Sequence, residues 1–157
     1  MGDGQIELLR QPEQILYGLR QPSHDRTQAR DIPTLSRRFY AICGGKVGDV
    51  LPFCVVSRDY RQSSGAFTLF VGGTEASDGL EREVLPAGVY ARLEVRPKLG
   101  ILWGPAVGEA KRWFYTQWLP QSPYEAANLE YELHTDKTVG KHPSVDLLFA
   151  LREKQSQ

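Results

Sequence analysis

Net charge is what this chain most plainly lacks: nineteen basic side chains stand against nineteen acidic ones. A balanced surface sets up no global field, so neither nucleic acid nor an anionic membrane is drawn in over long range, and basic partners are not favoured either. Cysteine is scarce as well. Cys43 and Cys54 lie far apart in the apolar surroundings YAIC and PFCVV, which reads as two reduced core thiols rather than a disulfide or a nucleophile. No run approaches the roughly 18 apolar residues of a membrane span. MGDGQIELLRQ at the amino terminus has no secretion-type apolar stretch, and Ile6 stands where a myristoylation pattern needs Ser or Thr. A cytoplasmic protein is expected.

Chemical signatures are missing too. CGGKVGD contains Gly-Lys without the spacing or the hydroxyl residue of a phosphate-binding loop. His24, His134 and His142 do not combine with the cysteines at metal-ligand spacing. There is no nucleophile elbow and no pair of recognition helices for DNA. No metal, cofactor or nucleic-acid partner is therefore expected.

What is present is a patterned core. Apolar residues make up 41% of the 157-residue chain, enough for one domain of ordinary size over 1–157. Strand-like runs occur at 14–20, 51–58, 66–72, 88–96, 128–134 and 144–152, with a shorter one, LEREVLP, before the fourth. Two stretches have helical period. In the first, Leu35, Phe39, Ile42 and Cys43 share a face, Asp31 and Pro33 mark the start, and Gly44-Gly45 the stop. The second opens at Gly104-Pro105, carries Val107, Ala110, Phe114 and Trp118 on one stripe, and closes at Pro120.

The order strand, helix, strand, strand thus occurs twice, and YGLRQP at 17 returns as YARLEVRP at 90. This predicts an α+β fold of two pseudo-twofold-related modules, about 5–85 and about 86–152. Joined, they form an antiparallel sheet with both helices on one face and a ligand groove on the other.

Strand alternation sorts side chains to the two faces. Val145, Leu147, Phe149 and Leu151 go under the helices, as do Ala91, Leu93 and Val95. Asp146, Leu148 and Ala150 go to the other face with Tyr90, Arg92 and Glu94. By the same rule Leu129, Tyr131 and Leu133 go under the helices, and Glu130, Glu132 and His134 face the groove. Phe53 with Val55 and Cys54 with Val56 are left undecided. The pattern alone reads Glu130, Glu132 and Asp146 as the solvated side of a half-exposed sheet. Against that stand Leu148 and Ala150 on the same side. Carboxylates among apolar groups are costly to ionise unless a cation arrives, so such a groove would select positive ligands. Aromatic walls favour cations further.

AGVYARLEVRPKLG, a helix, WLPQSPYEAANLEYELH and VDLLFALR together resemble the GyrI-like small-molecule-binding family, the effector-binding domain fused to AraC-type and MerR-type regulators. The resemblance is clearest over 87–152. It implies a cleft between two modules in which Glu130 meets cationic, aromatic, drug-like ligands. It places Tyr90 at the "YA" position of the family pattern and makes Tyr90 and Trp103 candidate cleft walls; Trp118 and Tyr124 read as structural. Leu129 replaces the family's usual aromatic, and Glu132 stands where tyrosine is usual. The ligand-binding set is then Glu130, Glu132, Asp146, Leu148, Tyr90 and Trp103. Glu130 and Glu132, about 7 Å apart on one strand face, are expected to raise each other's pKa until a cation binds.

The implied function is multidrug-type binding of a small cationic aromatic or lipophilic molecule by a stand-alone sensor or sequestering protein, with a protein partner for any output. One alternative is a hydrolase of small electrophiles using Glu130 as acid or base with Tyr90. A further alternative is a protein-interaction module of the gyrase-inhibitor type.

Overall fold

The computed structural model describes residues 5–45, 50–100 and 102–155. Residues 1–4, 46–49 of the CGGKVGD stretch, 101 and 156–157 lie outside the described residues. Eight strands form one antiparallel sheet: β1 (Glu7–Gln11), β2 (Gln14–His24), β3 (Phe53–Arg61), β4 (Ala66–Gly73), β5 (Glu81–Leu85), β6 (Gly88–Val95), β7 (Tyr124–His134) and β8 (Val145–Glu153). Helices α1 (Gln28–Cys43) and α2 (Trp103–Trp113) pack against it. The spatial order is β1-β6-β8-β7-β3-β4-β2-β5. It reads the same from either end once the modules β2-α1-β3-β4 and β6-α2-β7-β8 are exchanged about the β3/β7 seam. The α+β class, the duplication and the expected strands are all present; β1 is an element the sequence did not signal.

Helix α1 begins three residues ahead of Asp31 because the hydroxyls of Ser23 and Thr27 donate to its carboxylate at 2.8 and 2.7 Å, tying the preceding turn to the first helical turn. It stops at Gly44, whose φ of 151° suits glycine and whose N–H donates to Tyr40 O. Leu35 and Phe39 are buried as expected, but Ile42 is 41% exposed. α2 does not run straight to Pro120. It widens into a π turn over Phe114–Trp118 and tightens into a 3₁₀ turn over Leu119–Gln121.

Cross-strand register fixes the faces. Leu93, Leu147, Glu132, Val55, Val71 and Leu19 lie in one row across the sheet. On that side, Leu93, Val145, Leu147, Phe149 and Leu151 pack with Ala106, Ala110 and Phe114 of α2, while Leu19, Phe53, Val55, Leu69 and Val71 pack with Leu35 and Phe39 of α1. Both helices therefore cover one face. Phe53 and Val55 face them; Cys54 and Val56 face away.

The helix-free face is not open. Only Pro12–Glu13 separate β1 from β2, and only Pro86–Ala87 separate β5 from β6, yet β1 pairs with β6 and β5 with β2 at opposite ends of the sheet. These exchanged strands roll the sheet round a second core of Leu16, Cys54, Val56, Phe70, Leu85, Tyr90, Leu129, Tyr131, Leu148 and Ala150. Burying each large side chain there contributes about 1.5–3 kcal/mol. Two expectations are corrected by this. The groove does not lie opposite the helices, and β7 is turned the other way: Leu129, Tyr131 and Leu133 belong to the inner core, while Glu130, Glu132 and His134 face the helix side. Each helix packs on its own module, α1 reaching Phe53 and Val55 of β3, while the helix side of β7 carries the polar Glu130, Glu132 and His134.

Candidate ligand-binding groove

Above the seam lies a groove of about 800 Å³, within the size range of small-molecule sites. Module two contributes Lys111, Tyr115, Ala126, Asn128, Leu129 and Glu130. Module one faces them with Asp25, Gln28, Ser57, Tyr60, Gln62 and Phe67. Three of these are aromatic; Lys111 and Glu130 carry charge on one wall, Asp25 on the other, and Arg152 completes the lining.

Glu130 is the centre of the module-two wall. Its Oε2 stands 2.7 Å from Lys111 Nζ, and its Oε1 accepts the Tyr115 hydroxyl at 2.8 Å. Lys111 and Tyr115 are one helical turn apart and flank the buried stripe, so both reach the same carboxylate. The π turn starting at Phe114 sends that ring into the core, stacked on Phe149 at 3.8 Å, while Tyr115 meets Phe149 edge-on and stays 38% exposed. Burial pushes the Tyr115 hydroxyl above its ordinary pKa, and the charge of Glu130 and its hydrogen bond push it further the same way. Burial alone would lower Lys111, but Glu130 and Glu132 outweigh it and hold the ammonium above its ordinary value.

Glu132, two residues along β7, lies beside the lining side chains rather than among them. Its Oε1 is 3.2 Å from His134 Nε2, and the His134 ring stacks on Phe53 at 4.7 Å. Burial favours the neutral acid here, yet the His134 hydrogen bond and the charges of Lys111 and His134 prevail, so its pKa falls below the ordinary carboxylate value. For Glu132 the expected elevation is therefore corrected, and neither acid is unpaired: Glu132 has His134, and Glu130 has Lys111 and Tyr115.

The opposite rim is held by Tyr60, whose hydroxyl donates to Asp25 Oδ2 at 2.7 Å. At the mouth, Arg152 Nε and Glu125 Oε1 pair at 2.6 Å.

The structure brings Glu130 and Glu132 to this seam and takes the other four expected residues elsewhere. Tyr90 is buried in the inner core, and its hydroxyl donates to Pro86 O at 2.7 Å. It lies across the sheet from Glu130, so the Glu130–Tyr90 couple of the hydrolase alternative is not formed; Tyr115 occupies that relation instead. Leu148 fills the same core. Asp146 is buried on the helix-free face, 3.4 Å from Lys137 Nζ. Trp103 packs in the α2 cluster, as do Trp118 and Tyr124, the two read as structural. The sequence reading missed Lys111, Tyr115, Tyr60, Phe67 and Asp25. Only the four-residue spacing of Lys111 and Tyr115 on a helix, off the apolar stripe, was a usable signal. Among the described residues no group of His, Cys, Asp and Glu is arranged to hold a metal, and no helix is long and apolar enough to cross a membrane.

Compared with known protein families and with curated proteins, the sequence matches none. Solved structures share the fold. A bacterial transcription-regulation candidate from Staphylococcus aureus MU50 superposes with a TM-score of 0.69 at 14% identity, over 95% of this chain and 99% of its own. SAV2435, solved bound to tetraphenylphosphonium, gives 0.68 at 13% identity, over 94% of each chain. The C-terminal domain of EcmrR gives 0.64 at 15% identity, over 97% of this chain and 99% of that domain. At such identities the likeness establishes common architecture.

Proposed function

We propose that the groove binds a small cationic molecule with aromatic or lipophilic bulk, as an effector-binding domain of the GyrI-like kind. The observation that carries this reading is Glu130: a carboxylate set into the wall of an 800 Å³ groove whose other walls bring Tyr60, Phe67 and Tyr115. A cation over a tyrosine face gains about 0.5–2 kcal/mol, and a charge-assisted contact to Glu130 adds to it. Together these separate a cation from its neutral analogue by about 10- to 100-fold. That SAV2435, of like fold, was solved with the bulky cation tetraphenylphosphonium supports the same ligand class here. The test is a calorimetric and thermal-shift screen of lipophilic cations against neutral isosteres, in wild type and Glu130→Gln.

The Tyr115–Glu130 hydrogen bond supports a second reading, hydrolysis of a small electrophile, with Glu130 taking a proton from water and Tyr115 donating one to the leaving group. Against it, burial and Glu130 hold the Tyr115 proton firmly. Turnover of a reactive electrophile by wild type, lost in both Glu130→Gln and Tyr115→Phe, selects this reading over binding alone.

A further inference from the structure

If Glu130 receives a cationic ligand, it must first give up the cation it already holds. Lys111 Nζ sits 2.7 Å from Glu130 Oε2, and the pair keeps only 25% and 19% of its side-chain surface. An ammonium at that distance occupies the place a ligand cation needs. Lys111 pairs with Glu130 alone, but a second carboxylate, Glu132, stands two residues along the same side of β7, held by His134, and its charge also acts on Lys111.

The helix offers Lys111 a second position. Side chains on a helix lean toward its amino terminus, and behind Lys111 stand Val107, turned into the α2 cluster, and beside it Gly108 and Gly104. At either glycine, an added Cβ meets nothing within 4 Å. The lysine stem therefore has free space along the helix, away from Tyr115. Along β7 the same direction leads from Glu130 to Glu132, since Glu130 is opposite Phe149, the ring that packs against Phe114 and Tyr115, and Glu132 is opposite Leu147.

We propose that Lys111 is a tethered competitor that sets the affinity of the groove for cations, and that Glu132 receives its ammonium when a ligand takes Glu130. The inference rests on the cation-binding reading above and adds to it a specificity-determining lysine and a role for the second carboxylate. The groove admits a ligand only if its gain exceeds the loss of the internal pair, which selects bulky cations with ring contacts over small ones such as sodium or ammonium. Glu132 keeps the displaced lysine paired, so binding does not leave a partly buried charge alone.

The test is titration of tetraphenylphosphonium into a residue-111 series. Lys111→Met removes the competitor and keeps the stem, and is expected to bind about tenfold tighter than wild type. Lys111→Arg, which grips a carboxylate with two donors, is expected to bind at least about threefold weaker. Glu132→Gln is expected to weaken binding severalfold in the wild-type background and to have little effect beside Lys111→Met. Should Lys111→Met fold poorly, Lys111→Gln takes its place with the same expected direction. Tight cation binding that is indifferent to residue 111, or a Glu132→Gln penalty undiminished beside Lys111→Met, overturns the inference and leaves the cation reading standing. Absence of cation binding by wild type and Lys111→Met alike overturns both.

Discussion

The Asn128 side chain clasps the backbone of Tyr60 across the module seam, accepting its N–H at 2.8 Å and donating to its carbonyl at 3.1 Å. Both residues sit where their strands leave regular register, β7 between Ala126 and Glu130 and β3 between Arg58 and Arg61. Asn128 itself has φ 57°, the left-handed region that asparagine tolerates better than most residues. One side chain thus locks two irregular strand ends together and fixes Tyr60, a groove wall, relative to Glu130 two residues further on.

Asn128→Ala should therefore lose about 1–3 kcal/mol, since it removes two exposed hydrogen bonds, which water only partly replaces, and strains φ. Asn128→Gly, which loses the clasp but not the backbone shape, should fall between it and wild type. Urea unfolding of the three proteins gives the order.

Leu148 distinguishes an inner core from a binding surface. It is fully buried with Tyr90 and Tyr131, so Leu148→Ala should cost about 2–5 kcal/mol of stability. Its effect on cation affinity should be small, because the groove lies on the other side of the sheet. Chemical denaturation and calorimetry on the same variant check both halves of the statement.

The lowered pKa of Glu132 sets an acid limb. A carboxyl whose folded pKa is depressed contributes stability above its ordinary value, and that contribution disappears as pH falls through the folded value. The stability gap between wild type and Glu132→Gln should be present at neutral pH and close below 4.5, the ordinary glutamate value. A gap constant from pH 7 to pH 3 would show that Glu132 is not held ionised by Lys111 and His134.

Tyr115 offers its ring and its hydroxyl separately. Tyr115→Phe should cost about 0.5–1.5 kcal/mol for the lost bond to Glu130 and change cation affinity less than about tenfold. Tyr115→Ala, which removes the ring as well, should weaken cation binding more. Equal losses in both variants would assign the effect to the hydroxyl.

The duplication, the strand order along the chain and the faces of β6 and β8 were legible in the sequence, because Leu93, Leu147 and Phe149 lie under a helix and alternate with residues that do not. The same rule misplaced β7. It assumes that the apolar side of a strand faces the helices, and here the sheet buries both sides. Leu129 and Tyr131 enter a core made by the exchange of β1 and β5, whose two-residue connections hold the two ends of the sheet together and which periodicity does not encode. Glu130 and Glu132 share one side of β7, as alternation requires, but that side faces the helices and only Glu130 lines the groove. Their partners were not foreseen. Lys111 lies nineteen positions before Glu130 on a helix whose orientation over the seam depends on packing, and Asp25 and Tyr60 meet only through tertiary contact.

The central claim is that Glu130 makes this groove a cation site, and one calorimetric comparison tests it most directly. Tetraphenylphosphonium and neutral triphenylphosphine oxide are titrated into wild type and Glu130→Gln under identical conditions. Wild type is expected to prefer the cation by about tenfold or more, a preference that vanishes in Glu130→Gln while the neutral compound binds both proteins alike. Equal affinity of wild type for the two compounds, or a cation preference that survives Glu130→Gln, would contradict it.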